Sequence, residues 1–503
     1  MIETIQQAVK PHDRYQIEIK LDYKLSPSRY TRYKIITYFF IPQSLGVNRQ
    51  NYPQKYFYHD VQNYIRLKTP HFILRDFTEN SASPLLSIEY LITQENWAID
   101  PDCQKRIIHN LKFLSAMLKS SIREHFSLIE QRIDQAPPRS KIDVIIHNLI
   151  AEFIEECFKI TRKYRAFYTL FNLPNVNQEL FLAYTLTDES ISLMLEESAI
   201  EMFQIVETYF KKGKRTKFTA QLNELVHHET KHRRIHGYPS ILNPNSDNEE
   251  YLFRSSVLKK YAATILYLST AVRRDGVGLE QLLFAIAAGL SMIFATMLAF
   301  YAQQRFDNFS LALFTVLVVG YMFKDRIKDL SRTLFARYLA NKLYDRRILI
   351  KTQDGKHKLG VLKEKVSFID EDELPTRIAT VRNRDTLTEL DNDGQGEKII
   401  RHVKEVTLYT KAFKNLYVGL PEITSINDII RYDIHTYLNK MADPIQHRFY
   451  LQDEQLHPIS CHKVYQVNIV SKYITYPQKE HLYKRIRLIL NQKGIKRVEH
   501  LET

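Results

Sequence analysis

Cysteine is scarce. The 503 residues contain three, Cys103, Cys157 and Cys461. They lie far apart and form no C-x-x-C pair, which argues against a disulfide framework and for a reducing compartment. The first residues, MIETIQQAVKPHDRYQ, lack an apolar core segment, so no cleavable signal peptide is expected. G-x-x-x-x-G-K-[ST], G-x-G-x-x-G and G-x-S-x-G are all missing, which removes the usual signatures of nucleotide-dependent and serine-hydrolase chemistry. No RNA- or DNA-binding motif is recognisable either. The net charge of +14 therefore points to a lipid surface or an acidic protein before nucleic acid.

Hydrophobic residues make up 44% and charged residues 25% of the chain, enough for two or three globular domains with real cores. Two stretches carry no charge. Leu282 to Ala302 reads LLFAIAAGLSMIFATMLAFYA, roughly 32 Å as a helix, close to the thickness of a hydrocarbon core. After the link QQRFDN, Phe309 to Phe323 reads FSLALFTVLVVGYMF. Arg273 and Arg274 precede the first stretch. Lys324, Arg326, Lys328, Arg332 and Arg337 follow the second, and the link holds only Arg305. By the positive-inside rule both flanks are cytoplasmic. The expectation is a multi-pass protein of the plasma or inner membrane with both termini in the cytoplasm. A transmembrane helical hairpin covers 279–323 and a juxtamembrane helix 324–347. Ala287, Ser291, Ala295 and Ala299 recur every four residues, a ridge that admits a close helix: the second span, or another copy in a homo-oligomer.

The flanks differ in pattern. In RYQIEIKLDYKLS, Tyr15, Ile17, Ile19, Leu21 and Tyr23 alternate, and RYTRYKIITYFFIP is expected to return as the second strand of a hairpin. Residues 1–100 form a β-containing N-terminal segment, of which 45–100 carry no assignment. Residues 101–275 read as a cytoplasmic helical bundle. Asp100-Pro101 starts a helix that runs along Ile107, Leu111, Leu114, Leu118, Ile122, Phe126, Ile129 and Ile133. A second stripe runs from Ile142 through Cys157 to Phe171, making Cys157 a buried thiol. More helices are expected near 178–211, 216–236 and 249–273, the last leading into the membrane. Residues 348–503 read as a cytoplasmic, mostly β domain with one helix near 426–441. The fold class is thus an α+β membrane protein, and residues 1–274 and 345–503 are expected to fold apart.

The one catalytic spelling is His228-Glu229-Thr230-Lys231-His232. It resembles the zincin metallopeptidases over these five residues only. The resemblance implies zinc on His228 and His232, with Glu229 as general base. His236, Glu249 or Glu250 would have to supply the third ligand. Lys231, Arg233 and Arg234 surround the motif, and Lys211, Lys212, Lys214, Arg215 and Lys217 lie upstream. A dication there meets Coulomb repulsion. No E-x-x-x-D pattern follows Glu249 or Glu250, and His232 and His236 continue the stripe of Phe218, Leu222 and Leu225. A basic structural helix end, able to rest on anionic headgroups, accounts for the same residues. DNDGQGEK at 391–398 resembles a calcium loop, with Glu389, Asp391 and Asp393 in plausible places, but Ile400 stands where a bidentate Glu is needed. Cys461 and His462 are adjacent in a strand and point to opposite faces, so they form no dyad. The expected function is a membrane-anchored, cytoplasm-facing scaffold, sensor or adaptor without catalytic activity. The alternative is a membrane-linked zinc metallopeptidase.

Overall fold

The computed structural model describes residues 5–134, 142–210, 212–306, 310–384, 396–414, 421–439, 441–442, 445–453, 455–476 and 481–501. The acidic positions proposed for a calcium loop, 389, 391 and 393, lie outside them. In chain order come β1 (Ile5–Pro11), β2 (Gln16–Lys24), β3 (Tyr30–Pro42), α1 (Gln54–Asp60), β4 (Val61–Leu67), α2 (Asp76–Glu79) and α3 (Pro84–Ile92). Long helices follow: α4 (Pro101–Asp134), α5 (Ile142–Arg165), the short α6 (Tyr168–Phe171), α7 (Gln178–Tyr209), α8 (Lys212–Ile235) and α9 (Glu249–Ala263). Then come β5 (Ser269–Arg274), α10 (Val277–Arg305), α11 (Leu311–Lys342), β6 (Arg346–Lys351), β7 (Lys358–Ile369), β8 (Glu397–Tyr409) and β9 (Ser425–Asp433). The chain closes with β10 (Ile445–Gln452), β11 (Gln455–His462), β12 (Tyr465–Tyr476), β13 (His481–Asn491) and β14 (Gly494–Leu501). The molecule is mixed α and β, with an N-terminal hairpin and a sheet-rich C-terminal region.

Local chemistry explains the elements. The Asp100 side chain accepts the backbone N–H groups of Asp102 and Cys103, so α4 starts at Pro101 as its capping carboxylate predicts. The alternation in β2 buries Ile17, Ile19, Leu21 and Tyr23 on one face. In β3 both faces are covered. Ile35, Phe39 and Ile41 enter the main core, while Tyr38 and Phe40 join a smaller cluster with Ile378, Val381 and Ile399 on the other side. A strand buried on both faces reads as the near-continuous apolar run IITYFFI.

Eight strands form one antiparallel sheet in the order β14-β13-β12-β3-β8-β7-β6-β5. Four form a second, β1-β2-β9-β4, and β10 and β11 make an exposed hairpin. The N-terminal hairpin is β1 with β2; β2 and β3, expected to pair with each other, go to different sheets. β3 is hydrogen-bonded between β8 and β12, and β9 between β2 and β4. The expectation that 1–274 and 345–503 fold apart is therefore corrected. Each lacks neighbours for its central strands without the other.

Two further expectations change for the same reason. The helix expected over 249–273 ends at Ala263, and Ser269–Arg274 pairs as β5 with β6. The helix expected near 426–441 is mostly strand β9, where Ile426, Asp428 and Ile430 are buried; only His435–Leu438 is helical. In both places sheet partners override a helix-compatible local pattern.

β5 and β6 bracket the helical hairpin, with Arg274 directly opposite Arg346. α11 runs without a break from the apolar half through the charged half and ends at Lys342. The expected juxtamembrane helix is therefore the second half of α11, and residues 346–347 belong to β6. α10 and α11 pack against each other. On α10, Ala287, Ser291 and Ala302 are buried, and a Cβ on Gly320 of α11 would come 2.6 Å from Leu298 Cδ2. The small residues thus let the two helices of this chain approach closely. By length and composition α10 is able to cross a membrane, and it is the one candidate span among the described residues.

Joining Arg274 to Arg346 through an Asn-Gly turn in place of 275–345 converts β5–β6 into an ordinary two-residue hairpin. That shortened chain is expected to unfold in one cooperative thermal transition by circular dichroism. Residues 345–503 alone, which lack β3, are expected to show none.

Candidate functional site

The HETKH residues sit on α8 and meet acids from α7. In α7, Asp188, Ser192 and Glu196 recur every four residues and form one helical stripe. All three face α8, and α5 delivers Arg165 from its last residue, where a helix C-terminus favours a cation.

Arg165 is the hub. Its Nη1 and Nη2 donate to Glu229 Oε1 and Oε2 at 3.0 and 2.5 Å, and its Nε donates to Asp188 Oδ1 at 3.2 Å. Asp188 Oδ2 also accepts from His232 Nε2 at 2.7 Å and from the Tyr238 hydroxyl at 3.0 Å. His228 Nδ1 lies 3.0 Å from Glu229 Oε1. His236 Nδ1 donates to the His232 carbonyl at 2.9 Å, and the two imidazole centroids are 4.1 Å apart. One turn along α8, Arg233 donates to Glu196 Oε2, to the Ser240 carbonyl at 2.9 Å and to Ser192 Oγ at 3.0 Å. Thr230 donates to Glu196 Oε1 at 2.7 Å. Arg254 of α9 completes the layer, its Nε donating to Glu189 Oε1 at 3.2 Å and its Nη2 to Oε2 at 2.7 Å. Asp188, Glu189, Glu229 and Arg233 are all buried.

Burial alone would oppose ionisation of Glu229. Hydrogen bonds from His228 and Arg165 and the guanidinium charge outweigh it and hold the carboxyl at about 2, against an ordinary value of about 4.5. Asp188 follows the same balance, kept below the usual carboxylate range by His232 and Arg165 despite burial. A carboxylate so stabilised is a poor proton acceptor near neutral pH. The Cys157 thiol beneath it is pushed well up by burial and by the charges of Glu229 and Glu156, which leaves it inert.

The motif's Glu229 and His232 are bonded to residues outside it, while His228 is bonded to Glu229 itself. Glu229 serves as the ion-pair partner of Arg165, and His232 is bonded to Asp188. Glu249 and Glu250 open α9 as exposed residues. Among the described residues no group of three or more His, Cys, Asp or Glu is arranged to hold a metal ion. Of the basic residues read as a helix surface, Lys231 and Arg234 are exposed, whereas Arg233 is buried in the network. Lys211 lies outside the described residues. Sequence reasoning missed Arg165, Asp188, Glu189, Glu196 and Arg254. The available signal was the acidic pairing Asp188-Glu189 and Glu196-Glu197 on a helix that is otherwise rich in Leu, Ile, Ser and Met.

A second buried ionic group lies between the two larger sheets. Lys404 Nζ of β8 donates to Asp428 Oδ1 of β9 at 2.6 Å and to Asn63 Oδ1 of β4 at 3.0 Å. Asn63 and Arg346 donate to Glu364 at 2.6 and 2.5 Å, and His402 Nε2 is 3.3 Å from the same carboxylate. Burial pushes the Asp428 carboxyl up even with Lys404 beside it. Glu364 sits at about 2, because His402, Arg346 and Lys404 outweigh the desolvation that opposes them.

Replacing Arg165 by Met leaves two carboxylates buried without their guanidinium. The expected cost is about 3–5 kcal/mol at neutral pH, read as a large fall in thermal midpoint. Glu229 and Glu364 have folded values below their unfolded ones. Their contribution is therefore complete above about pH 4.5 and is lost as the pH falls toward about 2. Glu229→Gln should lower the midpoint at neutral pH and flatten its decline across that acid window. An unchanged acid limb would show that Glu229 is not held in this pair.

No family model, no curated protein and no solved structure matches the chain, so its function rests on the chemistry of its own residues.

Proposed function

We propose that the protein is a membrane-anchored, cytoplasm-facing scaffold, sensor or adaptor without catalytic activity. The observation that carries this is the outer surface of α10. Only 11% of its most apolar eighteen-residue stretch is buried. Leu282, Ile286, Leu290, Ile293, Met297 and Phe300 are exposed along it, whereas a core helix of a soluble protein would have covered them. The apolar first half of α11 adds Leu311, Phe314, Met322 and Phe323. A bilayer satisfies such a surface, because every backbone group is already bonded within the helices. Tyr301 with Arg305 and Tyr321 with Lys324 stack cation on ring, the residue types that favour the headgroup level.

In this reading α10 crosses the bilayer, the apolar half of α11 returns beside it, and the sheets and helices remain on the cytoplasmic side. The basic residues on both flanks support that orientation. The exposed Lys217, Lys231 and Arg234 of α8 are available to anionic headgroups, where each contributes about 1 kcal/mol. The absence of catalysis is supported by the helical network, in which the acidic groups of the HETKH layer are consumed by internal pairing.

In a Cys461→Ser background, a membrane-impermeant thiol reagent added to intact cells should label Phe306→Cys and spare Ser256→Cys and Lys356→Cys. Labelling of either flank would overturn the orientation. Protein purified without a histidine tag should contain far less than one zinc per chain. A stoichiometric zinc lost in His228→Ala/His232→Ala would restore the metallopeptidase alternative.

A further inference from the structure

A cavity of about 180 Å³ opens between α4, α7, α9 and the end of β4. Its wall carries four cations, Arg66, Lys119, Arg123 and Lys259, and one carboxylate, Glu197. Lys119 and Arg123 are one turn apart on α4 and so point the same way. Lys259 stands beside them, but it is paired with Glu197 at 3.2 Å. Among the described residues the side chains of Arg66, Lys119 and Arg123 have no hydrogen-bond or ion-pair partner; Arg66 is half-buried with its Nε buried, while Lys119 and Arg123 are exposed. A buried guanidinium nitrogen is ordinarily paired, as those of Arg165 and Arg233 are in the α7–α8 layer. Here Arg66 Nε is buried without a partner, beside two exposed cations that no protein anion pairs among the described residues. Partial desolvation lowers Lys119 below the usual lysine range. Lys259 adds to that effect, Glu197 opposes it, and Arg123 and Arg66 contribute further. Lys20 of β2 is lowered in the same direction by burial, countered by Asp22 and then reinforced by Arg66 and Arg123. Around the cations, Ser120, Ser190 and Ser255 supply hydroxyls from three different helices.

We propose that this cavity is a binding site for a phosphate monoester dianion. Two guanidinium groups and an ammonium converging on one small space match its charge and its several acceptor oxygens. Ser255 adds a hydroxyl that brings no charge, whereas Ser120 already donates to Glu124 and Ser190 is bonded to Ser115. The dianion is carried either by a soluble phosphate ester or by the headgroup of a phosphatidic acid-type lipid. Leu266, in the cavity wall, lies three residues before β5, and β5 leads directly into α10. The site does not depend on the membrane reading, since soluble phosphate reaches it in either case.

The test uses the full chain in detergent micelles with inorganic phosphate as the probe. Excess phosphate is expected to raise the thermal midpoint by several degrees over chloride at equal ionic strength. Lys119→Gln/Arg123→Gln should weaken phosphate binding by calorimetry about tenfold or more. Its midpoint in chloride should not fall, because no internal partner is lost and like-charge repulsion is relieved. Lys231→Gln/Arg234→Gln removes the same charge from the exposed face of α8 and should leave phosphate affinity unchanged. Nanodiscs separate the sources. If phosphatidic acid, but not an equal charge of phosphatidylglycerol, competes with phosphate, the headgroup is the ligand. If phosphate titrates alike in both, a soluble ester is. Either result supports the site. Absence of a phosphate effect on the unaltered chain in micelles and in nanodiscs overturns it. So does unaltered affinity in Lys119→Gln/Arg123→Gln, or an equal loss in the α8 variant.

Discussion

The placement of β3 between β8 and β12 is the constraint on which the rest of the molecule depends. Thirteen N-terminal residues, Tyr30–Pro42, pair along one edge with Glu397–Tyr409 and along the other with a strand nearly at the C-terminus. The intervening chain must leave the sheet and return to it, and everything else is arranged around that closure. The second sheet repeats the device, since β9 is sandwiched between β2 and β4. Loop-closure entropy for such long connections is large but grows slowly with length. The burial of both faces of β3 and the ladder bonds on both its edges offset it.

Between the ends of the chain, charge is handled in two ways. Inside the α5–α7–α8–α9 layer and between the sheets, buried acids and bases are bonded to one another, some of them to more than one partner. The matching converts what would be costly buried charges into a specific register of helices and strands. Arg165 holds α5, α7 and α8 at one point, and Lys404 ties β8 to β9 and β4. The basic cavity beside α4 departs from that pattern: of its four cations only Lys259 is paired, with Glu197, among the described residues. Asp188, Glu189, Glu196 and Glu229 are paired, whereas Arg66, Lys119 and Arg123 have no partner among the described residues, and the proposed phosphate site draws on that contrast.

The helical hairpin attaches at the β5 edge of the eight-stranded sheet. Gly276, at φ of +73°, turns the chain from β5 into α10 where a Cβ would meet Leu343. Because Arg274 faces Arg346, the two ends of the hairpin leave the sheet side by side. A displacement of α10 against α11 therefore pulls on strands that continue into the shared sheet.

Much of the local structure was legible in the sequence. The alternation in β2, the strand character of the C-terminal segments, the Asp100 cap, the length of α4 and the apolarity of α10 are all set within one segment. For these, side-chain period, capping chemistry and hydrophobicity are sufficient. What only the tertiary structure decided was partnership. β2 and β3 are neighbours in sequence and belong to different sheets. Ser269–Arg274 and Ser425–Asp433 become strands because edges elsewhere in the chain await them. HETKH has the spelling of a metal site, yet Glu229 is bound by Arg165, sixty-four residues earlier, and His232 by Asp188. Arg233, which the local charge pattern places on the surface, is buried against Glu196. Local pattern determines the shape and faces of an element. The group that meets each face, and so whether a carboxylate is a base, a ligand or half of an ion pair, is determined by contacts far apart along the chain.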